Sequence, residues 1–217
     1  MATDAEVREP DDERVWLQRA VFVLQSPRAV FEALRDDRDE PARAREEAVL
    51  ALILLAGIAG VLWTPIAGRL RDDPAFKDAL NVAVWAFIGG AIYGIALYWA
   101  SGALLFAGTR AAGGKGSYRQ ARQLLAFAAA PVALSLFLVV PVRLSVYGGD
   151  VFGRGGADHG PGNTVFVALE LALVAWAVTL LVLGVRTING WSWSRALVAC
   201  ALAAGLPALV VLATAFF

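Results

Sequence analysis

Glu170 is the side chain whose position in this chain is hardest to explain without chemistry. It stands in Val165-Phe166-Val167-Ala168-Leu169-Glu170-Leu171-Ala172, well inside a long apolar run. A charged group deep in hydrocarbon costs about 2.5–3.5 kcal/mol or more, so the carboxylate must face other helices or a wet cavity. Two roles fit it. One is functional, a proton-linked or headgroup-coordinating carboxylate. The other is structural, a protonated or hydrogen-bonded packing residue, or one reaching out to the interface. Asn81, Ser101, Ser135 and Thr179 are the polar side chains within apolar runs that qualify as its partners.

A second candidate is the polar stretch Gly113-Gly114-Lys115-Gly116-Ser117-Tyr118-Arg119-Gln120, extended by Arg122. Its glycines, Gly116 among them, let the backbone wrap an anion, and Lys115, Arg119 and Arg122 add positive charge. Lipid-headgroup phosphate is a natural partner for such a loop. The spacing of a phosphate-binding P-loop is absent. The plainer alternative is a turn whose charge anchors the cytoplasmic side, with Ser117 capping the helix that follows.

Hydrolytic chemistry finds no support. There is one histidine, His159, and one cysteine, Cys200, so neither a nucleophile–base–orienter set nor an intrachain disulfide can be assembled. Asp150, Asp158 and His159, in the Gly-rich stretch 148–163, are too few fixed ligands for a metal. No catalytic residue, metal or cofactor is assigned.

These residues must be positioned by elements made for lipid. Of 217 residues 59% are hydrophobic and 18% charged, with mean hydropathy +0.62. A soluble domain is about 45–50% apolar and about 25% charged, and a chain this short has too little interior to hide the excess. Five apolar runs fall at about 48–67, 80–107, 124–142, 164–185 and 196–217. Each reaches the ~20 residues a membrane-spanning helix requires. None alternates as a barrel strand would, and a helix satisfies every backbone group within its own segment. Pro131 and Pro207 lie inside runs and predict kinks, while Pro141 is placed to end the third helix. Gly90 and Gly94 form a GxxxG pair in the second run, suited to close helix packing within the chain or, less simply, between copies. Trp191 and Trp193 stand where an interfacial anchor is expected.

Charge sets the expected orientation. The first 47 residues carry 8 of the 19 Lys+Arg and 13 of the 19 Asp+Glu, and 196–217 carry none. With the N-terminus inside, segments 1–47, 108–123 and 186–195 hold 14 basic residues against 5 in 68–79 and 143–163. The excess predicts a cytoplasmic N-terminus and an extracytoplasmic C-terminus. Residues 1–14 are acidic and read as a disordered tail. Within the lead-in 15–46, Ser26-Pro27 reads as a helix cap and first turn. The helix it opens, Pro27 to about Asp39, places Val30, Phe31 and Leu34 opposite Arg28, Glu32, Arg35 and Asp36. Such an amphipathic helix suits a membrane surface or the flank of the bundle equally.

Two stretches resemble a known family. Leu24-Gln25-Ser26-Pro27-Arg28-Ala29-Val30-Phe31-Glu32-Ala33-Leu34 resembles the SPxxxFxxL lead-in of prokaryotic Yip-domain proteins. Gly114-Lys115-Gly116-Ser117-Tyr118-Arg119-Gln120-Ala121, leading to Ala128-Ala129-Ala130-Pro131, resembles the GxGSFxQ signature that opens the family's third span, with Tyr118 where phenylalanine is common. The family takes its name from eukaryotic members that interact with Ypt/Rab GTPases. The resemblance covers about residues 20–217 and implies an all-helical membrane bundle linked in eukaryotes to vesicle traffic and membrane shape. It implies no catalytic site, and the tail lacks a GTPase-binding pattern.

The expectation is therefore an all-α integral membrane protein of the cell membrane, five transmembrane helices (47–217) preceded by a short cytoplasmic amphipathic helix. Its expected role is non-enzymatic, organising membrane lipids or partner proteins, the latter another membrane protein or a second copy of the chain. Zero net charge gives no argument for nucleic acid, and no soluble substrate is inferred. The alternative is a small lipid or solute transporter or scramblase using Glu170 and the basic loop 113–122.

Overall fold

The computed structural model describes residues 22–43, 45–64, 79–152 and 161–216, the side chains of 40, 41, 79 and 206–216 excepted. The expected tail 1–14, residues 15–21, and Asp158 and His159 lie outside them. Among the described residues every regular element is helical. Two short helices, α1 (Pro27–Ala33) and α2 (Asp39–Arg43), lead into five longer ones. These are α3 (Glu46–Trp63), α4 (Ala79–Ala111), α5 (Tyr118–Ala128) continued by α6 (Ala130–Tyr147), α7 (Pro161–Asn189) and α8 (Trp193–Phe216).

Four stretches of the described residues are long and apolar enough to cross a membrane: Glu46–Trp63, Leu80–Ala111, Tyr118–Phe152 and Pro161–Asn189. Helix α8 is 24 residues long, of which the described apolar part, Trp193–Gly205, is shorter. Lipid rather than water suits their outer surfaces. Only 22% and 17% of the most apolar windows of α4 and α7 are buried. Trp85, Phe87 and Leu171 are 56%, 61% and 63% exposed, along with many aliphatic neighbours. A continuous apolar surface of that extent would drive association in water.

Small residues decide which helices touch. Helix α3 lies along α4 and α6, and α4 also meets α5 and α8. Where α3 crosses α4, a Cβ added to Gly57 would stand 2.5 Å from the Gly94 Cα, and one on Gly94 2.6 Å from the Ile53 carbonyl oxygen. One on Gly90 would stand 2.5 Å from the Ile58 Cα. The GxxxG pair is thus used inside the chain. Helices α4 and α8 approach in the same way at Gly108, against the backbone of Ala199 and Ala203.

Several elements differ from the sequence expectation. The lead-in helix stops at Ala33 instead of running to Asp39. Arg45 donates to the carbonyls of Ala33 (2.6 Å) and Asp36 (2.7 Å), satisfying the chain where it turns. Ser26 occupies the N-cap position without a side-chain cap bond, and Pro27 opens the helix. The third span begins at Tyr118, earlier than 124, and divides at Ala129, with Pro131 in the first turn of α6. Pro141 does not end it, because α6 continues to Tyr147. In hydrocarbon a helix that stopped there would expose carbonyls with nothing to bond, and the Ser145 hydroxyl donates back to the Pro141 carbonyl at 2.8 Å. Pro207 falls within α8, where side chains lie outside the described residues.

The lead-in packs on the bundle. Phe31 and Leu34 are 0% and 1% exposed, and Phe31 abuts Leu124 and Gly184 in a core shared with Phe127 and Val185. Buried amides tie it down: Gln120 donates to the Leu34 carbonyl (2.6 Å) and Gln123 to the Ala42 carbonyl (3.2 Å).

Gly57→Ala and Gly94→Ala should each cost about 1–3 kcal/mol by forcing α3 and α4 apart. Gly60→Ala and Gly89→Ala, where an added Cβ meets nothing within 4 Å, should be neutral or stabilising. Thermal unfolding in mild detergent would separate the two pairs, and equal losses at all four positions would contradict the crossing described.

Candidate functional site

The chain's polar groups collect at two opposite ends of the bundle. At the end formed by the close of α3 and α6 and the start of α7, Glu170 meets an unexpected partner. Because α6 runs through Pro141, Arg143 stays on the helix, and its guanidinium donates to the Glu170 carboxylate at 3.1 Å. Their side chains are 15% and 12% exposed. Leu62, Trp63, Val139, Val151 and Phe152 wall them in around a space of about 10 Å³. That holds about one water molecule. Arg143 Nε and Trp63 Nε1 find no hydrogen-bond partner among the described residues. Of the partners expected, Ser135 and Thr179 bond their own helices, at the carbonyls of Val132 and Ala175. Arg143 was missed because Pro141 was read as a terminator, which placed the arginine in a loop. What could have signalled it is the mutual need of two ionisable residues at similar depth.

Between the ends lies an open crevice of about 360 Å³ among α3, α4, α5, α6 and α7. Gly57 and Gly94 form its floor, with Leu97, Val132, Val178 and Leu181 among its walls. Tyr93, Tyr98, Ser101 and the edge of Trp63 are its few polar atoms. Such a lining matches an acyl chain.

At the opposite end the residues of the basic loop are divided among four places. Ser117 caps α5, its hydroxyl accepting the Gln120 backbone N–H at 3.0 Å. Arg119 turns to the lead-in, pairing with Asp37 (3.0 Å) and Asp39 (2.7 Å) and donating to the Asp37 carbonyl. Arg122 lies 3.9 Å from the ring centroid of Trp99 and 4.9 Å and 5.3 Å from those of Tyr118 and Tyr98, a stacked cation–π arrangement. Gly102 leaves room for its stem. Lys115 and Gly116 instead face a separate cavity with Arg35 and Arg195. The five residues read as one anion loop therefore do not converge on one point: Lys115 and Gly116 line one cavity, and Arg119 and Arg122 line another beside Glu46. Arg35 and Arg195 were missed because they lie 80 residues on either side of Lys115, a distance that only folding removes.

The family model of the Yip1 domain matches residues 21–215. No curated protein and no solved structure matches the chain.

Glu170→Leu should strand a buried Arg143 and lower stability by about 3–5 kcal/mol, whereas Glu170→Leu with Arg143→Leu should recover most of the loss. A double variant as unstable as the sum of the singles would rule out a direct pair.

The Arg119 hydrogen bond holds the Asp39 carboxyl below its ordinary value of 3.8. A lowered folded-state pKa contributes stability that is complete above 3.8 and is lost as pH falls through the lowered value. Because the pair is exposed, the stability lost in acid is small, and the lead-in should stay docked from about pH 5 to 8. A spin label at exposed Glu32, as Glu32→Cys in a Cys200→Ser background, should stay immobilised from about pH 5 to 8, and mobilisation at about pH 6 would contradict this.

Proposed function

The chain belongs to the Yip1 domain family, and from that premise we propose that it is a non-enzymatic membrane protein that organises lipids or partner membrane proteins. It is a multi-pass protein of the Yip type, with helices apolar enough to span a bilayer. The finer reading is a five-span protein of a prokaryotic cell membrane, with α8 as the fifth crossing, a cytoplasmic amphipathic lead-in and an outward C-terminus. The charge bias supports this orientation more strongly once Arg143 is counted within α6, because 5 outer basic residues become 4 against 14.

The observation that carries the organising role is the isolation of Glu170. A transport role asks for a polar path from that carboxylate to the basic loop. The carboxylate instead holds Arg143 in a space of about 10 Å³, and the large crevice beyond is mostly apolar, with Tyr93, Tyr98, Ser101 and the Trp63 edge as its few polar groups. An ion pair enclosed in this way joins α6 to α7, and an apolar crevice holds lipid tails rather than passing headgroups. Both features suit a body that arranges what surrounds it.

Reconstituted into vesicles with fluorescent lipid bleached from outside, the wild-type protein should give traces no faster than empty liposomes. Crosslinking in native membranes should capture lipid or a membrane-protein neighbour. Fast loss of the protected inner-leaflet signal, abolished by a folded Glu170→Leu/Arg143→Leu variant, would overturn the organising role in favour of a scramblase.

A further inference from the structure

At the lead-in end of the bundle, a cavity of about 480 Å³ opens between the loop 112–117, the end of α7, the start of α8 and the lead-in. Three cations line it, Arg35, Lys115 and Arg195, contributed by segments far apart in the chain. Among the described residues its lining contains no carboxylate. We propose that this cavity binds a phosphate group, carried by an anionic lipid headgroup or by a free phosphate compound, with Lys115, Arg35 and Arg195 as its cationic contacts.

Like charges gathered in one concavity repel one another unless something negative joins them. Three acids of the lead-in are engaged elsewhere. Asp36 is bound by Arg38, and Asp37 and Asp39 are bound by Arg119. Two of the three cations are also held in place. The Arg35 Nε and Nη2 donate to the Thr187 carbonyl at the end of α7, and the Arg195 Nε and Nη2 donate to the Ala112 carbonyl at 3.0 and 2.8 Å. Each guanidinium uses two of its five N–H groups in this way, and that of Arg195 also lies over the Trp191 ring, 4.5 Å from its centroid. Groups fixed beforehand lose little freedom on binding, so these arginines are better phosphate contacts than mobile surface cations.

Lys115 differs from them. It is exposed, flanked by Gly114 and Gly116, and has no hydrogen-bond or ion-pair partner among the described residues. No packing role accounts for it. Its flexible stem can follow a phosphate, while Trp191 and the Asn189 and Gln120 amides supply an interfacial wall and neutral polar groups. The volume suits a headgroup rather than a whole lipid. This inference rests on the organising role only for the source of the phosphate. The scrambling assay does not read Lys115, so the two ideas fail separately.

The test uses the full chain in phosphatidylcholine nanodiscs containing a few per cent phosphatidic acid, with retained lipid counted by native mass spectrometry. Lys115→Gln should lower phosphatidic acid occupancy about fivefold, since one lysine near a membrane surface contributes about 1 kcal/mol. Lys115→Arg should restore it, and Arg28→Gln, on α1 outside the cavity, should leave it unchanged. Competition by millimolar inorganic phosphate would show that phosphate alone is recognised. Retention of phosphatidic acid without such competition would tie the site to the membrane headgroup. Equal retention by wild type, Lys115→Gln and Lys115→Glu, with no binding of inorganic phosphate to the wild type, would overturn the proposal.

Discussion

Between α3 and α4 the backbones at Gly57, Gly90 and Gly94 meet with no side chain between them, and the rest of the bundle depends on that approach. In water, two apolar helices are driven together because their faces leave solvent. In hydrocarbon that gain is absent, since lipid tails are as apolar as leucine, and only close packing or interhelical hydrogen bonds remain. Helices of low polarity therefore associate most strongly where they come nearest. Glycine at all three positions permits the nearest approach, and α4 repeats the device at Gly108 against α8. With α3 and α8 both held to α4, the remaining helices have a fixed frame. The apolar crevice floored by Gly57 and Gly94 is a consequence of the same packing, because residues without side chains leave volume beside the contact.

The two ends of that frame are built by different forces. At the lead-in end, water is near and polar groups can be traded freely, so the contacts are numerous and partly exposed. Arg119 reaches Asp37 and Asp39, Arg45 satisfies turn carbonyls, and Gln120 and Gln123 bond the lead-in backbone from within. An exposed pair such as Arg119–Asp39 contributes little by itself. The burial of Phe31 and Leu34 accounts for most of the docking, and the polar contacts fix its register. At the other end a single pair, Arg143–Glu170, stands among aliphatic and aromatic side chains. There each charge is costly alone and tolerable only with its partner, so the pair specifies how α6 meets α7 more than it stabilises either helix.

Each apolar run overlaps a long helix, because hydrophobic length is a local property, though the third helical stretch extends over Tyr118–Tyr147 rather than 124–142. What the periodicity misplaced were features decided by neighbours. Pro141 looked like a stop because proline removes a donor, but the alternative of bare carbonyls in lipid is worse, and the helix continues. That one misjudgement hid Arg143 and left Glu170 with the wrong set of partners. The lead-in helix was read too long because its pattern continues past Ala33, whereas its end is determined by Arg45, twelve residues later. Lys115, Arg119 and Arg122 looked like one cluster from their spacing. Residues at 115, 119 and 122 share a helix face only if the helix has begun, and here it begins after Ser117. Lys115 therefore stays on the loop, while Arg119 and Arg122 are carried to different neighbours.

Arg122 shows why a basic residue near a membrane need not be an anion contact. Its guanidinium lies over Trp99 and near Tyr98 and Tyr118, and its Nε is buried without a hydrogen-bond partner among the described residues. Tyr118 in turn donates to the Trp99 carbonyl at 2.8 Å, joining the first turn of α5 to α4. A cation held over three rings is partly neutralised by their faces and attracts a distant phosphate less than one open to solvent. Lys115, Arg35 and Arg195 instead gather at one cavity whose described lining holds no acid, and although Arg195 lies 4.5 Å from the Trp191 ring centroid, it faces one ring rather than three.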